Sequence, residues 1–327
     1  MLYVDQRWRG AHGIARFATE VVGRLSAPWQ SLGGQQSPTS PTDVVNPHRL
    51  RLSANDIVYS PGFNAGITRA AQVLTIHDLI HLQVTAERSV AKTVFYDTVV
   101  RNAVRRSGVV MTVSETSATA IAQWLNDPEV RIEVVGNGAS ALFGPTGDRA
   151  HFDRPTFIYV GNLKPHKNVE VLLDALALRP EYDLLMVTAD SMQAQSRVNE
   201  RGLATRVRLL SDVSDPELAA LYRGATGALQ ASTLEGFGLP VLEAMSCGTR
   251  VAYWSGCESV GEICADSGVA VQSATSPEEW AHALDTLTAE HALGPLIMPA
   301  SWTQKYDWDA VGERVSRVLS AVSLEQP

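Results

Sequence analysis

The sequence predicts an α/β protein of two doubly wound domains. Three observations carry that expectation. At 327 residues the chain is long enough for two domains of ordinary size. Leu2-Tyr-Val-Asp5, short and apolar, feeds a glycine-bearing loop, Gly10-Ala-His-Gly13. A segment with apolar residues at helical spacing follows, at Ile14, Phe17, Val21, Val22 and Leu25. The same order recurs in the second half. There Thr156–Val160 opens into Gly161-Asn-Leu-Lys-Pro-His-Lys-Asn168, and a helix follows with Val169, Leu172, Leu173 and Leu176 on one face. Strand, glycine turn and helix form the repeating unit of a doubly wound sheet, and such sheets bind ligands beyond the carboxyl ends of their strands.

Composition narrows the class. The hydrophobic fraction of 45% is that of a globular chain. No apolar run is long enough to span a bilayer, and Met1-Leu-Tyr-Val-Asp5 enters a strand directly instead of forming a signal peptide, so a cytoplasmic protein is expected. The net charge of −8 argues against non-specific nucleic-acid binding. Residues 1–150 hold 14 Lys and Arg against 12 Asp and Glu, and the remainder holds 13 against 23. The more basic first half allows an anionic acceptor or peripheral contact with an inner membrane face; chance placement of solvated charge is the plain alternative. Cys247, Cys257 and Cys264 lack paired metal-ligand spacing and read as reduced structural thiols, with no metal site.

The elements follow in order. Residues 30–48 are rich in Gln, Ser, Pro and Gly and read as a mobile surface loop or plain connector. Asp56–Ser60 is a strand ended by Pro61-Gly62, and Gln72–Ile76 is another, with His77-Asp78 at its carboxyl end. Ser89–Ser107 reads as one long helix whose terminal Arg101, Arg105 and Arg106 suit a helix C-terminus. Val109–Val113 is a strand, and Ser114 caps the next helix. Arg131–Val135 leads to Gly136-Asn-Gly138, and residues 144–155 read as the linker. Beyond the second glycine loop come strands at Asp183–Thr188 and Val207–Leu210 and a capped helix at Ser214-Asp-Pro-Glu217, and Thr226–Ser232 then carries the chain into the next motif. Arg250–Tyr253 is a strand, residues 276–292 a helix, and Ala310–Val322 the closing helix.

The stretch most burdened with chemistry is Ser232–Gly248, a loop feeding a helix. Gly236 and Gly238 allow close backbone approach, Pro240 suits the first helical turn, and Gly248 suits a helix stop. The free N–H groups at such a helix start favour a phosphate. Glu235 precedes the glycines, and Glu243 lies among Val241, Leu242, Ala244 and Met245. A carboxylate on so apolar a helix needs a partner, and a ribose diol would serve. The Gly161 loop, with Lys164 and Lys167 before a helix, has the makeup of a diphosphate cradle. The plain alternatives are solvated lysines and a salt-bridged glutamate.

EGFGLPVLEAM at residues 235–245, with its two glutamates separated by seven residues, resembles the signature of the retaining glycosyltransferases of family 4, which have two Rossmann-like lobes (the GT-B fold). The IHD run at His77, the VSETS and VGNG runs, and the Gly161–Asn168 segment resemble that family in the same order. The resemblance implies two domains facing across a cleft: an acceptor-side domain at 1–150, joined by a returning C-terminal helix at 305–327, and a nucleotide-sugar domain at 151–304. It also implies site roles. Glu235, His77 and Lys167 would be catalytic. Gly13, Arg16, Asn137, Gly161, Lys164, Lys167, Gly236, Phe237, Gly238, Leu239 and Glu243 would bind the donor. His12 stands where relatives carry glycine, and Asn162 or His166 where they often carry arginine. Glu262 sits in a loop that resembles a family loop and is read as mostly structural.

The implied reaction moves a hexosyl group from a nucleoside-diphosphate sugar, GDP-mannose-like by preference, to a hydroxyl of a glycan or lipid-linked acceptor. No cofactor or metal is implied. Three rivals remain on sequence: a glycosidase using both glutamates, a nucleotide-sugar epimerase of the same fold, and a non-catalytic nucleotide-sugar-binding partner.

Overall fold

The computed structural model describes residues 1–10, 12–84 and 89–325. Ala11 of the first glycine loop and the last two residues of the expected closing segment lie outside that set. The chain divides into two compact units, Met1–Gly138 with Gln304–Pro327, and Ala139–Thr303.

The first unit holds β1 (Leu2–Val4), β2 (Trp29–Ser31), β3 (Ile57–Ser60), β4 (Ala71–Leu74), β5 (Val109–Thr112) and β6 (Arg131–Val134). Four of these strands form a parallel sheet in the order β2-β1-β3-β4, and β5 pairs parallel with β6. A bridge at Thr75 and Met111 joins the two sets. The helix Gly13–Val22 buries Ala15, Phe17, Ala18, Val21 and Val22; of the apolar face its spacing predicts, Phe17, Val21 and Val22 are buried, Ile14 is half-buried, and Leu25 lies beyond the helix end.

The closing helix Trp308–Glu325 packs on this first helix. Arg24 Nε donates to Asp309 Oδ1 at 2.7 Å, and Arg314 Nε donates to the Val135 carbonyl at 2.7 Å. Gly138 lies under Trp308, where a Cβ would meet the indole at 2.6 Å.

Two expectations for this unit change. The single helix over 89–107 is three pieces: Val90–Phe95, a π turn at Tyr96–Val100, and Arg101–Ser107. The i, i+3, i+4 periodicity does not reveal such a widened turn. The segment 30–48 is no plain connector. It contributes β2, a 3-10 turn at Pro41–Val45 and the helix Pro47–Leu50. It is pinned by a buried charge network. Asp43 accepts from Arg7 Nη1 at 2.5 Å and Arg49 Nη1 at 2.7 Å, and Asn64 Nδ2 joins Asp5 at 2.7 Å. Asp5 and Arg49 are fully buried. Buried charges persist only when each has partners, and here the two carboxylates face two guanidinium groups.

The second unit is one parallel sheet. It holds β7 (Thr156–Val160), β8 (Asp183–Val187), β9 (Val207–Leu210), β10 (Gly227–Gln230), β11 (Val251–Trp254) and β12 (Val269–Val271). Their order is β12-β11-β10-β7-β8-β9. The order reverses at β7 and β10, so their carboxyl ends flank the switch point of the sheet. One core runs beneath, from Phe157, Leu172 and Leu184 to Trp280 and Leu284.

Residues 139–150, expected in the first domain, belong to this unit. Arg223 reaches back to the carbonyls of Asp148 at 2.6 Å and Gly144 at 3.0 Å, and Ala150 N donates to Ala220 O at 2.9 Å. The helix Ser191–Glu200 has no counterpart in the sequence reading, because Ala194 and Val198 are its only buried positions. Among the described residues no helix is long and apolar enough to cross a membrane.

Candidate active site

In the second unit the candidate residues converge at the carboxyl ends of β7 and β10. Strand β7 ends at Val160, and Gly161 turns the chain with φ +155°. A Cβ there would come within 2.9 Å of the Tyr159 hydroxyl, which itself donates to Asn162 O at 2.6 Å. Asp190, beyond β8, accepts from Leu163 N at 2.9 Å, and Lys164 N donates to Asn162 Oδ1 at 3.2 Å. The loop is therefore fixed by its own side chains. It presents Lys164 outward and carries Lys167 in a 3-10 turn, Pro165–Lys167.

Strand β10 ends at Gln230 and leads to Glu235. Lys167 Nζ lies 2.5 Å from Glu235 Oε1. Gln230 Nε2 donates to the same oxygen at 2.7 Å and to Ser232 Oγ at 2.9 Å. Ser259 Oγ donates to the Glu235 carbonyl at 2.8 Å, and Thr233 N donates to the His166 carbonyl at 2.7 Å. Side chain and backbone of Glu235 are thus both held. The structure brings Glu235 and Lys167 together, as two motifs 68 residues apart in sequence require.

Gly236, Phe237 and Gly238 are buried, and the helix Leu239–Ser246 starts immediately after. Gly238 has φ +116°, which disfavours any side chain, and an added Cβ would meet Val260 at 3.3 Å. No side chain caps this helix, and Pro240 in its first turn has no N–H to leave unpaired. Glu243 is 6% exposed on the buried face of the helix. The nearby Cys257 thiol is pushed up to about 11 by burial first and the Glu235 carboxylate second, so it stays protonated at neutral pH.

In the first unit, His77 follows β4. Its Nε2 lies 2.9 Å from the Pro61 carbonyl. A carbonyl only accepts, so Nε2 carries the proton and Nδ1 is left as an acceptor. Burial lowers the imidazole to about 4; the Pro61 carbonyl opposes the shift and His12 adds to it. The ring stands edge-on to Phe17 at 4.8 Å. Gly13 begins the first helix, and Arg16 projects half-exposed from its first turn. His12 caps that helix, with Nδ1 accepting from Ala15 N at 3.2 Å, so the residue in the usual glycine position has a structural task. Asn137 is buried, and its Oδ1 accepts from Gly138 N at 3.2 Å.

Sequence reasoning missed Gln230, Ser259, Tyr159 and Asp190. Only Gln230 carried a signal: it is the one polar residue in the buried strand Gly227–Gln230. Among the described residues no group of three or more His, Cys, Asp or Glu could hold a metal ion.

Uncapped helix start, lysine-bearing glycine loop and held glutamate define a class, and comparison with known proteins agrees. Residues 149–319, just over half of the chain, match the family model "Glycosyl transferases group 1", and the chain belongs to that family. An O-antigen chain mannosyltransferase B of Escherichia coli is 26% identical over 265 residues, covering 75% of this chain and 69% of that one. The O-antigen chain mannosyltransferase RfbU of Salmonella typhimurium is 30% identical over 185 residues, and the alignment spans about half of each, 55% and 51%. Among solved structures, Anabaena Alr3699/HepE in complex with UDP-glucose matches with a TM-score of 0.69 at 19% identity, over 98% of this chain and 99% of that one. WaaG, a glycosyltransferase involved in lipopolysaccharide biosynthesis, matches with a TM-score of 0.68 at 14% identity, again over 98% and 99%. The fold is the GT-B fold.

Proposed function

We propose that this chain is a retaining hexosyltransferase that uses a nucleoside-diphosphate sugar, GDP-mannose-like by preference, and a glycan or lipid-linked hydroxyl acceptor. The observation that carries the reading is Glu235, held by Lys167 and Gln230 beside the uncapped start of Leu239–Ser246. The bond between the anomeric carbon and the phosphate oxygen breaks. The acceptor oxygen bonds to the same face, its proton passes to a donor phosphate oxygen, and the nucleoside diphosphate leaves. Negative charge grows on the diphosphate, so fixed donors and cations around it lower the barrier.

Lys167 and Lys164, the backbone at Gly161 and Gly236 to Leu239, and the helix start are assigned to that diphosphate. Phe237, buried in the same turn, is assigned to the donor as well. Glu243 is assigned to the ribose diol. Glu235 is assigned to the sugar and to the cation-like transition state. In the first unit, His77 Nδ1 is assigned to a sugar hydroxyl, because its lone pair accepts an O–H. Gly13, Arg16 and Asn137 are assigned to the donor from the same unit. The mannose preference leans on the two O-antigen mannosyltransferase relatives. HepE, described with UDP-glucose, makes the base a choice that needs measurement.

Thermal-shift titration with GDP, UDP, dTDP and ADP, then with their sugars, tests the reading. A stabilisation of about 2–3 kcal/mol is expected at ligand a hundredfold above its Kd. No response to any nucleotide would remove it.

A further inference from the structure

A cavity of about 770 Å³ in the first unit is lined by none of the sequence-predicted site residues. Its walls come from two places: the 38–44 segment, with Pro38, Pro41 and Val44, and the helix Val90–Phe95 with its π turn, through Val94, Phe95 and Tyr96. Phe63 and Ala65 close the remaining side. A volume of this size is within the range that buries most of a small ligand.

Of its polar groups, the Thr39 and Ser40 hydroxyls and the Asp43 carboxylate already have partners, and His81 also lines the wall. Thr39 Oγ1 pairs with Ser37 Oγ at 2.8 Å, and Ser40 Oγ with Thr42 Oγ1 at 2.7 Å. Asp43 is neutralised by Arg7 and Arg49. The Tyr96 hydroxyl is buried and has no hydrogen-bond partner among the described residues. A sugar or a peptide backbone brought here would lose hydrogen bonds to water and find few in return, which is costly. An aliphatic chain has nothing to lose.

The mouth points the same way. Val94 in the lining is 54% exposed, and Val90, outside the lining and one turn before it, is 83% exposed. Lys92 between them is exposed, lines the cavity and forms no ion pair with a described residue. Apolar walls with a lysine at the rim that has no ion pair among the described residues match an amphiphile with an anionic head. The charge network at Asp43 and Arg49 pins the loop wall, so the cavity is preformed and its filling costs little ordering.

We propose that this cavity binds the aliphatic tail of the acceptor, a lipid-linked molecule whose phosphate lies at Lys92. The proposal rests on the hexosyltransferase reading only for the word acceptor; tail binding itself is read without any donor. The test is calorimetric titration of the whole chain with farnesyl phosphate, below its micelle-forming concentration, beside farnesol and inorganic phosphate.

Saturable 1:1 binding of farnesyl phosphate is expected. Val94→Asp should weaken it at least tenfold, and Lys92→Glu should weaken the phosphate but leave farnesol unchanged. Both variants should keep the wild-type thermal response to nucleotides. No saturable binding, an unchanged affinity in Val94→Asp and in a second variant, Ala91→Trp, or binding to phospholipid vesicles alone would each overturn the proposal. Nucleotide binding without tail binding overturns it while leaving the donor reading intact. Tail binding without nucleotide binding supports the cavity and removes the donor reading.

Discussion

Lys167 Nζ and Glu235 Oε1 are 2.5 Å apart, with Lys167 17% and Glu235 11% exposed. The pair binds two loops at the carboxyl ends of neighbouring strands, so a ligand's diphosphate would have to share the ammonium with the carboxylate. Lys167→Ala removes that cation. Binding of the preferred nucleoside diphosphate should weaken about 10–100-fold, the value of a charge-assisted hydrogen bond, while the free nucleoside changes little. Titration calorimetry of both ligands checks this. Equal losses for the two would mean that Lys167 does not hold phosphate.

Gln230 acts through Glu235, since its amide donates to Oε1 at 2.7 Å from a side chain that is 3% exposed. Gln230→Leu should lower kcat about tenfold, on the order of one lost hydrogen bond to a charge, with a smaller change in donor KM. Gln230→Asn keeps an amide and should fall between. A uniform loss of folded protein, with normal kcat per folded molecule, would reduce Gln230 to a structural role.

His77 gives the stability of the first unit a defined pH dependence. Its folded value of about 4 lies below the ordinary 6.5, so the unfolded chain binds more protons between those values. Stability therefore rises with pH across that window and is fully present above 6.5. It is lost progressively as pH falls towards 4. The contribution is at most about 3 kcal/mol, from 1.36 kcal/mol per pH unit. His77→Gln should flatten this part of a Tm-versus-pH curve measured from pH 4 to 7. An unchanged slope would show that the imidazole is not held neutral.

Arg49 is fully buried against Asp5 and Asp43. Arg49→Met leaves both carboxylates short of a cation, and a loss of about 3–5 kcal/mol is expected from breaking such a buried pair. Urea unfolding measures it. A change within 0.5 kcal/mol would show that Arg7 alone neutralises the cluster, on the scale of an ordinary surface substitution.

What the sequence revealed was local. Gly238 and Pro240 mark the helix start because their backbone chemistry is written in the residue itself. The strands β7 and β8 are short buried apolar runs with few other readings. Family resemblance supplied the order of the motifs, and geometry then joined Lys167 to Glu235. What stayed hidden was long-range. Arg49 looks like a surface residue until Asp5, 44 positions earlier, is folded against it. Arg223 decides the fate of residues 139–150 through backbone carbonyls, which carry no sequence signal. β2 and β12 have three residues each, too few for a period. The cavity beside Tyr96 is walled in part by a π turn that no apolar spacing betrays.

The central claim is that Glu235 serves transfer from an activated sugar held in the second unit. Its most direct test pairs one rate with one affinity: turnover of the preferred nucleotide sugar by Glu235→Ala, and its Kd for the nucleoside diphosphate. The account predicts a loss of at least about 100-fold in kcat, the scale of removing a transition-state charge contact, with nucleotide affinity kept within a few-fold. Wild-type turnover in the variant, with nucleotide still bound, would contradict it.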